Sequence, residues 1–165
     1  MDDIERYFDD HAQPLFRYLV RLTGDPDLAN DAVQSAFMRL VERGSIRGVE
    51  RAWLYTVATN SALEEVRSST RHRRVLETNS WRVPAADAPP DPHERTEAAE
   101  RATRGREALM KLSEKERSAL LMREEGFSHR EIADSLGTTT GSVGTLIARA
   151  LIKFAEALPA GSEGA

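Results

Sequence analysis

Cysteine is absent from all 165 residues. Disulfides and thiolate metal sites are excluded with it. Histidine is scarce, and His11, His72, His93 and His129 stand far apart, without the spacing of a ligand set. No metal and no cofactor is expected. Long apolar runs are missing as well: none approaches the roughly 20 residues that span a bilayer. The opening residues Met1-Asp2-Asp3-Ile4-Glu5 are acidic, whereas a secretory signal begins basic and turns apolar. A cytoplasmic location without membrane insertion is expected. Alternation of period two does not persist over any useful length, so strands are not expected either. Catalytic machinery is also missing. No glycine-rich phosphate loop follows a strand, no Ser/His/Asp set is placed, and the carboxylates fall on polar helix faces. Neither an enzyme nor any catalytic residue is expected.

What is present is a helical, charged, globular composition. Apolar residues make up 40% and charged residues 30%, the balance of a folded, water-soluble chain and not of a disordered one. The length suits one ordinary domain or two small ones. The net charge of −4 argues weakly against a nucleic-acid partner. A local basic stripe can still bind phosphates while the rest of the chain is acidic, so the placement of the arginines decides.

Three blocks follow one another, and together they predict an all-α chain of two small helical domains joined by a proline-rich linker. The first block covers residues 1–78. Phe8, Leu15, Phe16, Leu19, Val20 and Leu22 recur at three- and four-residue spacing and predict a helix that Gly24 stops. Asp25-Pro26 starts the next, with Asp as N-cap and Pro at the first helical position. This helix carries Leu28, Ala32, Val33, Ala36, Phe37, Leu40 and Val41 and ends near Gly44. A loop from Ser45 to Val49 leads into a third helix from about Glu50 to Arg73, with Trp53, Leu54, Val57, Ala58, Ala62, Leu63 and Val66 as its apolar stripe. The second block, 79–106, is a linker. Between Arg82 and Pro92 it holds Pro84, Pro89, Pro90 and Pro92, which cannot form a helix interior. His93 to Arg106 is charged and Ala-rich, either the tail of the linker or an exposed first helix of the next domain. The third block, 107–158, is helical again, and 159–165 is expected to be a disordered tail.

The third block carries two capping boxes. Ser113-Glu114-Lys115-Glu116 and Ser128-His129-Arg130-Glu131 each place Ser at a helix start with Glu three residues on, reaching back. The second opens a short helix with Ile132, Ala133 and Leu136, which Gly137 breaks. Thr138-Thr139-Thr140 leads into a last helix through Val143, Leu146, Ile147, Ala150, Leu151 and Phe154. Short helix, Gly-containing turn and longer helix make the layout of a DNA-binding helix-turn-helix, although a plain helical hairpin has the same period. Its outward face holds Thr140, Gly141, Gly144, Thr145, Ala148 and Arg149. In the first block, Arg67-Ser68-Ser69-Thr70-Arg71-His72-Arg73-Arg74 is the one dense basic run. Four arginines in eight residues exceed what a helix macrodipole needs and can track a phosphate backbone.

Two stretches then point to one family. Leu112-Ser113-Glu114-Lys115-Glu116-Arg117, Arg123-Glu124-Glu125-Gly126-Phe127-Ser128, Glu131-Ile132-Ala133, Leu136-Gly137 and Gly141-Ser142-Val143 together resemble region 4 of bacterial RNA polymerase sigma factors. Asp27 through Leu40 resembles region 2.2, and Arg51-Ala52-Trp53-Leu54-Tyr55-Thr56-Val57-Ala58-Thr59-Asn60 the start of regions 2.3 and 2.4. With no region 1.1 and no folded region 3, the chain is similar to the extracytoplasmic-function group. The resemblance implies a sigma factor that directs polymerase to promoters and assists melting. Asp31, Gln34 and Arg39 would then dock on the beta-prime clamp helices, and region 4 would bind the beta flap and the −35 element. Asn60, Glu64, Arg67, Arg71, Arg73 and Arg74 would act at the −10 element, with Thr140, Gly141, Thr145 and Arg149 at the −35 element. Ile46, Arg47 and Gly48 lie in the loop that in the family accepts a flipped base. An anti-sigma factor is implied as a further partner.

One departure stands out. The family usually follows the Val of the last helix with a Lys-Ser-Arg-like run, where this chain has Gly144-Thr145-Leu146 and then Ala148. Arg149 and Lys153 remain as cations near that face, and each lost phosphate contact removes roughly one unit of salt slope. Gly144 inside a helix costs roughly 1 kcal/mol relative to Ala, for which close approach to DNA or to a neighbouring helix is a reason. The stronger electrostatic hold is expected at Arg67 to Arg74. The rival is a stand-alone helix-turn-helix regulator that does not bind polymerase, and the Asp27 to Leu40 helix discriminates the two.

Overall fold

The computed structural model describes residues 2–48, 51–75 and 97–158, without the side chains of 2 and 70–75. Seven helices fill the described residues: α1 (Asp2–Thr23), α2 (Pro26–Arg43), α3 (Arg51–Val75), α4 (Glu97–Met110), α5 (Glu114–Glu124), α6 (His129–Leu136) and α7 (Thr140–Ala157). No strand occurs among the described residues. Residues 97–106, open between linker and helix on sequence alone, belong to α4. The proline-rich stretch 82–92 and the tail 159–165 lie outside the described residues.

Local chemistry sets the helix ends. The Asp25 carboxylate accepts from the amides of Asp27 (3.0 Å) and Leu28 (3.3 Å), and Pro26 opens α2 with its φ already helical. Gly44 closes α2 in the left-handed conformation at φ 76°, which side chains with a Cβ resist. Both capping boxes form. Ser113 Oγ accepts from the Glu116 amide while Glu116 accepts from the Ser113 amide, and Ser128 and Glu131 repeat the exchange.

Helices α1, α2 and α3 pack into one block and α5, α6 and α7 into another. Leu15, Leu19, Leu22, Ala36, Leu40, Leu54, Ala58 and Ala62 are fully buried in the first. Ile132, Ala133, Val143 and Ala150 are buried in the second, so the expected pairing of α6 with α7 holds. The two blocks also share a core. The rings of Tyr18 and Tyr55 lie 5.0 Å apart, and Tyr55 meets Phe127 of the second block at 5.0 Å, edge to face. Tyr55 sits beside the expected stripe and is nonetheless fully buried, because α3 is covered on a second side by the turn between α5 and α6.

Candidate nucleic-acid interface

Three surfaces carry the candidate residues. On α2, Asp31 and Gln34 are exposed and share a stripe with Met38, Val41 and Glu42. Val33, Phe37 and Leu40 are buried and Leu28 is half-buried, as the apolar spacing requires. Arg39 is exposed too, but it projects roughly 80° around the helix from Asp31, at the edge of that stripe. Between α1 and α2 lies a groove of about 560 Å³, lined by Ile4, Phe8, Gln34, Phe37, Met38 and Val41. Met38 is 63% exposed and Val41 58%, which is costly for side chains that gain by burial. Glu5, Asp9 and Glu42 form an acidic rim. Sequence reasoning put Val41 in the core and missed the groove, since only the packing of α1 shows which side of α2 stays open.

On α3, Asn60 and Glu64 are exposed one turn apart. Arg67 follows on the same face, but its guanidinium is engaged: Nη2 donates to Glu114 Oε2 of α5 at 2.9 Å. Arg71, Arg73 and Arg74 fall in the last turns of α3, and their side chains lie outside the described residues. Trp53 is half-buried and packs against the core, with the Arg43 guanidinium 5.5 Å from its ring centre. In the loop after α2, Ile46 turns inward against the core, whereas Arg47 and Gly48 are exposed.

On α7, Thr140, Gly141, Thr145, Ala148 and Arg149 are all exposed, while Val143 is fully buried against α6. Thr139 caps the helix by accepting from the Ser142 amide at 3.2 Å. The amides of Thr140 and Gly141 are left outside the helical ladder at the positive end of the macrodipole, a setting that attracts phosphate. Two expectations change here. Lys153 is not a free cation: its ammonium donates to both Glu116 carboxylate oxygens, at 2.8 and 3.1 Å. That pairing holds the Glu116 carboxyl below its ordinary value, helped by the Ser113 hydrogen bonds. Gly144 has no neighbour within 4 Å of where a Cβ would stand, so close packing of a neighbouring helix does not explain it.

Comparison with known proteins agrees with this layout. Residues 7–72 match the model of sigma-70 region 2, and residues 106–154 match sigma-70 region 4. The chain is 36% identical over 142 residues to the ECF RNA polymerase sigma factor SigL of Mycobacterium tuberculosis, covering 82% of this chain and 77% of that protein. It is 28% identical over 159 residues to the RNA polymerase sigma factor YlaC of Bacillus subtilis, covering 93% and 90%. Its fold is similar to the sigma factor RpoE of Bartonella quintana, solved in complex with the anti-sigma factor NepR. That match has a TM-score of 0.71 and 22% identity over 98% of this chain and 99% of that one. The chain belongs to the extracytoplasmic-function family of RNA polymerase sigma factors.

Proposed function

We propose that the chain docks on core RNA polymerase through the open face of α2, directs the enzyme to specific promoters and assists their melting. The observation that carries this is the union, in one chain, of an unpartnered apolar groove beside Asp31 and Gln34 with a helix-turn-helix whose outer face is free. An apolar floor with an acidic rim suits a basic, amphipathic helical partner such as the clamp helices. Asp31 and Gln34 supply polar contacts, Met38 and Val41 the apolar ones, and Arg39 a marginal contact. The block 1–78 acts at the −10 element and 107–158 at the −35 element.

At the −10 element, Asn60 and Glu64 face the bases, while Arg67, Arg71, Arg73 and Arg74 follow the phosphates. Capture of an unstacked base by the loop at Ile46, Arg47 and Gly48 offsets the few kcal/mol that unstacking costs. At the −35 element, Thr140 and Gly141 present backbone amides, Thr145 a hydroxyl and Arg149 the main cation. The chain acts by binding and positioning, as a transcription initiation factor and not as an enzyme. Its site of action is where the polymerase is, in the cytoplasm, and no described helix is long and apolar enough to cross a membrane. An anti-sigma factor is a fitting regulator, since the structural relative was captured with one.

Reconstitution with core polymerase tests this. The chain is expected to confer promoter-dependent transcription, and Gln34→Ala with Met38→Asp to weaken core binding about a hundredfold, the range of an interface hot spot. A chain that binds promoter DNA alone but never associates with core polymerase would instead be a stand-alone regulator, a reading that family membership does not favour.

A further inference from the structure

We infer that the outer face of α7 is a self-association surface, on which a second copy of this chain packs its own α7 antiparallel, centred near Ile152. The face is apolar where a surface helix carries charge. On the inner side of α7, Val143 and Ala150 are buried and Phe154 packs on the core. Gly141, Ala148 and Ile152 stand roughly 160–180° around the helix from Ala150, with Thr145 and Ala155 beside them, and all five are exposed. An ordinary surface helix puts charged residues on that side, whereas a helix apolar on both sides is covered on both. Small residues alone would not make an interface, but Ile152 is 60% exposed and Leu151 53%.

Spacing and charge select the occupant. Ala148, Leu151, Ile152 and Ala155 stand at i, i+3, i+4 and i+7, the four corners of the hole that receives one side chain of a facing helix. The two alanines leave room there, and Ile152 of the second copy is the side chain that fills it. Arg149 and Glu156 are both exposed, seven residues apart, and fall on one flank of Ile152 within roughly 20° of each other. Neither has an ion-pair partner among the described residues. A two-fold antiparallel pair of helices sets like flanks side by side. Along the axis Arg149 lies about 4.5 Å before Ile152 and Glu156 about 6 Å after it. Reversal of the second copy therefore brings its Glu156 to within about 2 Å of the level of Arg149, and the two-fold repeats the pair. A parallel copy sets the charged flank against Leu151 and leaves all these charges unpaired.

Two such faces bury an area at the low end of specific interfaces, below about 1,200 Å² in total. The dimer is accordingly weak, with a Kd on the order of 10–100 µM. Self-association goes beyond the promoter role proposed above, and one consequence rests on that role. Arg149 is the main cation proposed for the −35 element. Paired to Glu156 of the second copy, its guanidinium is withheld from phosphate, so the second copy and the −35 duplex compete for one face of α7.

Sedimentation equilibrium of the full chain, from about 10 µM to about 1 mM, tests this and needs neither polymerase nor DNA. The wild type is expected to pass from one chain to two across that range. Ile152→Arg sets like charges against each other at the two-fold and is expected to raise Kd at least about tenfold. Arg149→Glu and Glu156→Arg are each expected to weaken the dimer, and the two combined to restore it, since reversal of both charges recreates the pair. All three side chains are exposed, so far-UV circular dichroism of the variants is expected to match the wild type. A chain monomeric throughout, a dimer indifferent to Ile152→Arg, or no rescue in the combined variant overturns the inference. A monomer in which Ile152→Arg instead weakens core polymerase binding gives the face to the polymerase and overturns it too. Saturating −35 duplex is expected to return the wild type to the monomer. A dimer that persists on the duplex overturns the role of Arg149 at the DNA, not the self-association.

Discussion

Lys153 of α7 reaches back to Glu116 of α5 at 2.8 Å, so one cation of the last helix secures the helix that precedes the reading unit. Glu116 is 7% exposed as a side chain and Lys153 is 49% exposed. The carboxylate also completes the Ser113 capping box, so the pair ties a helix start to the body of α7. Lys153→Met is expected to destabilise the fold by about 1 kcal/mol, read from urea unfolding. It is expected to leave the salt dependence of −35 DNA binding unchanged. A slope reduced by about one unit would return Lys153 to the phosphate contacts.

Acid stability follows from the same carboxylate and from Glu131. Glu116 is held below 4.5 chiefly by Lys153, and Glu131 below 4.5 chiefly by the Ser128 amide. Both values are depressed in the folded state, so the unfolded chain binds more protons in this window. The stabilisation is fully present above 4.5 and is lost as pH falls through the folded values. Combining Glu116→Gln with Glu131→Gln keeps a capping-box side chain and removes the titration. Thermal unfolding between pH 5 and pH 3, roughly the carboxylate range, is expected to show a shallower decline than in the wild type. An unchanged decline would place the acid sensitivity elsewhere.

The local features were legible in the sequence because they are written within four residues. Asp25-Pro26, both Ser-to-Glu boxes and the glycines at 24, 44 and 137 are short-range signals, and each ends or starts a helix where expected. The outward face of α7 was legible for the same reason, through the burial of Val143 and Ala150. What the sequence does not carry is which polar side chains meet across the two blocks. Arg117 and Tyr55 are buried only because a second block covers them, Arg67 finds its partner 47 residues away in the other block, and within the second block Lys153 finds its own 37 residues away. Helical period identifies a face but not its neighbour. The α1–α2 groove was missed because its openness depends on how α1 crosses α2.

Gly144 has open space where a Cβ would stand, which makes its substitution informative. In Gly144→Ala the methyl meets nothing within the chain, and the helix gains roughly 1 kcal/mol. The melting temperature is expected to rise by about 3 °C for a chain of this size. If the glycine serves a close approach to DNA, the same methyl must lower affinity for the −35 element while leaving core polymerase binding intact. Fluorescence anisotropy on a −35 duplex checks this. Higher stability with unchanged affinity would leave Gly144 without a role at the DNA.

Glu114 and Arg67 give the last test, because stability and DNA affinity are expected to move apart. Their bridge spans 2.9 Å, with side-chain exposures of 36% and 61%, the setting in which an ion pair contributes about 0–1 kcal/mol. Glu114→Gln is therefore expected to change unfolding by less than about 0.5 kcal/mol. Removing the carboxylate frees the guanidinium and withdraws a negative charge from the surface that phosphates approach. One unit charge at about 4 Å in water is worth about 1 kcal/mol, so non-specific DNA affinity of the free chain is expected to rise about fivefold at low salt. Screening over about 3 Å at 1 M salt should erase that gain. Arg67→Gln is expected to move affinity the opposite way with a similarly small effect on unfolding, and the double variant to fall between Arg67→Gln and Glu114→Gln, because the repulsion of phosphate by the carboxylate is removed with or without the arginine. An affinity indifferent to Glu114 at every salt concentration would show that the arginine meets DNA elsewhere than at this bridge, or not at all.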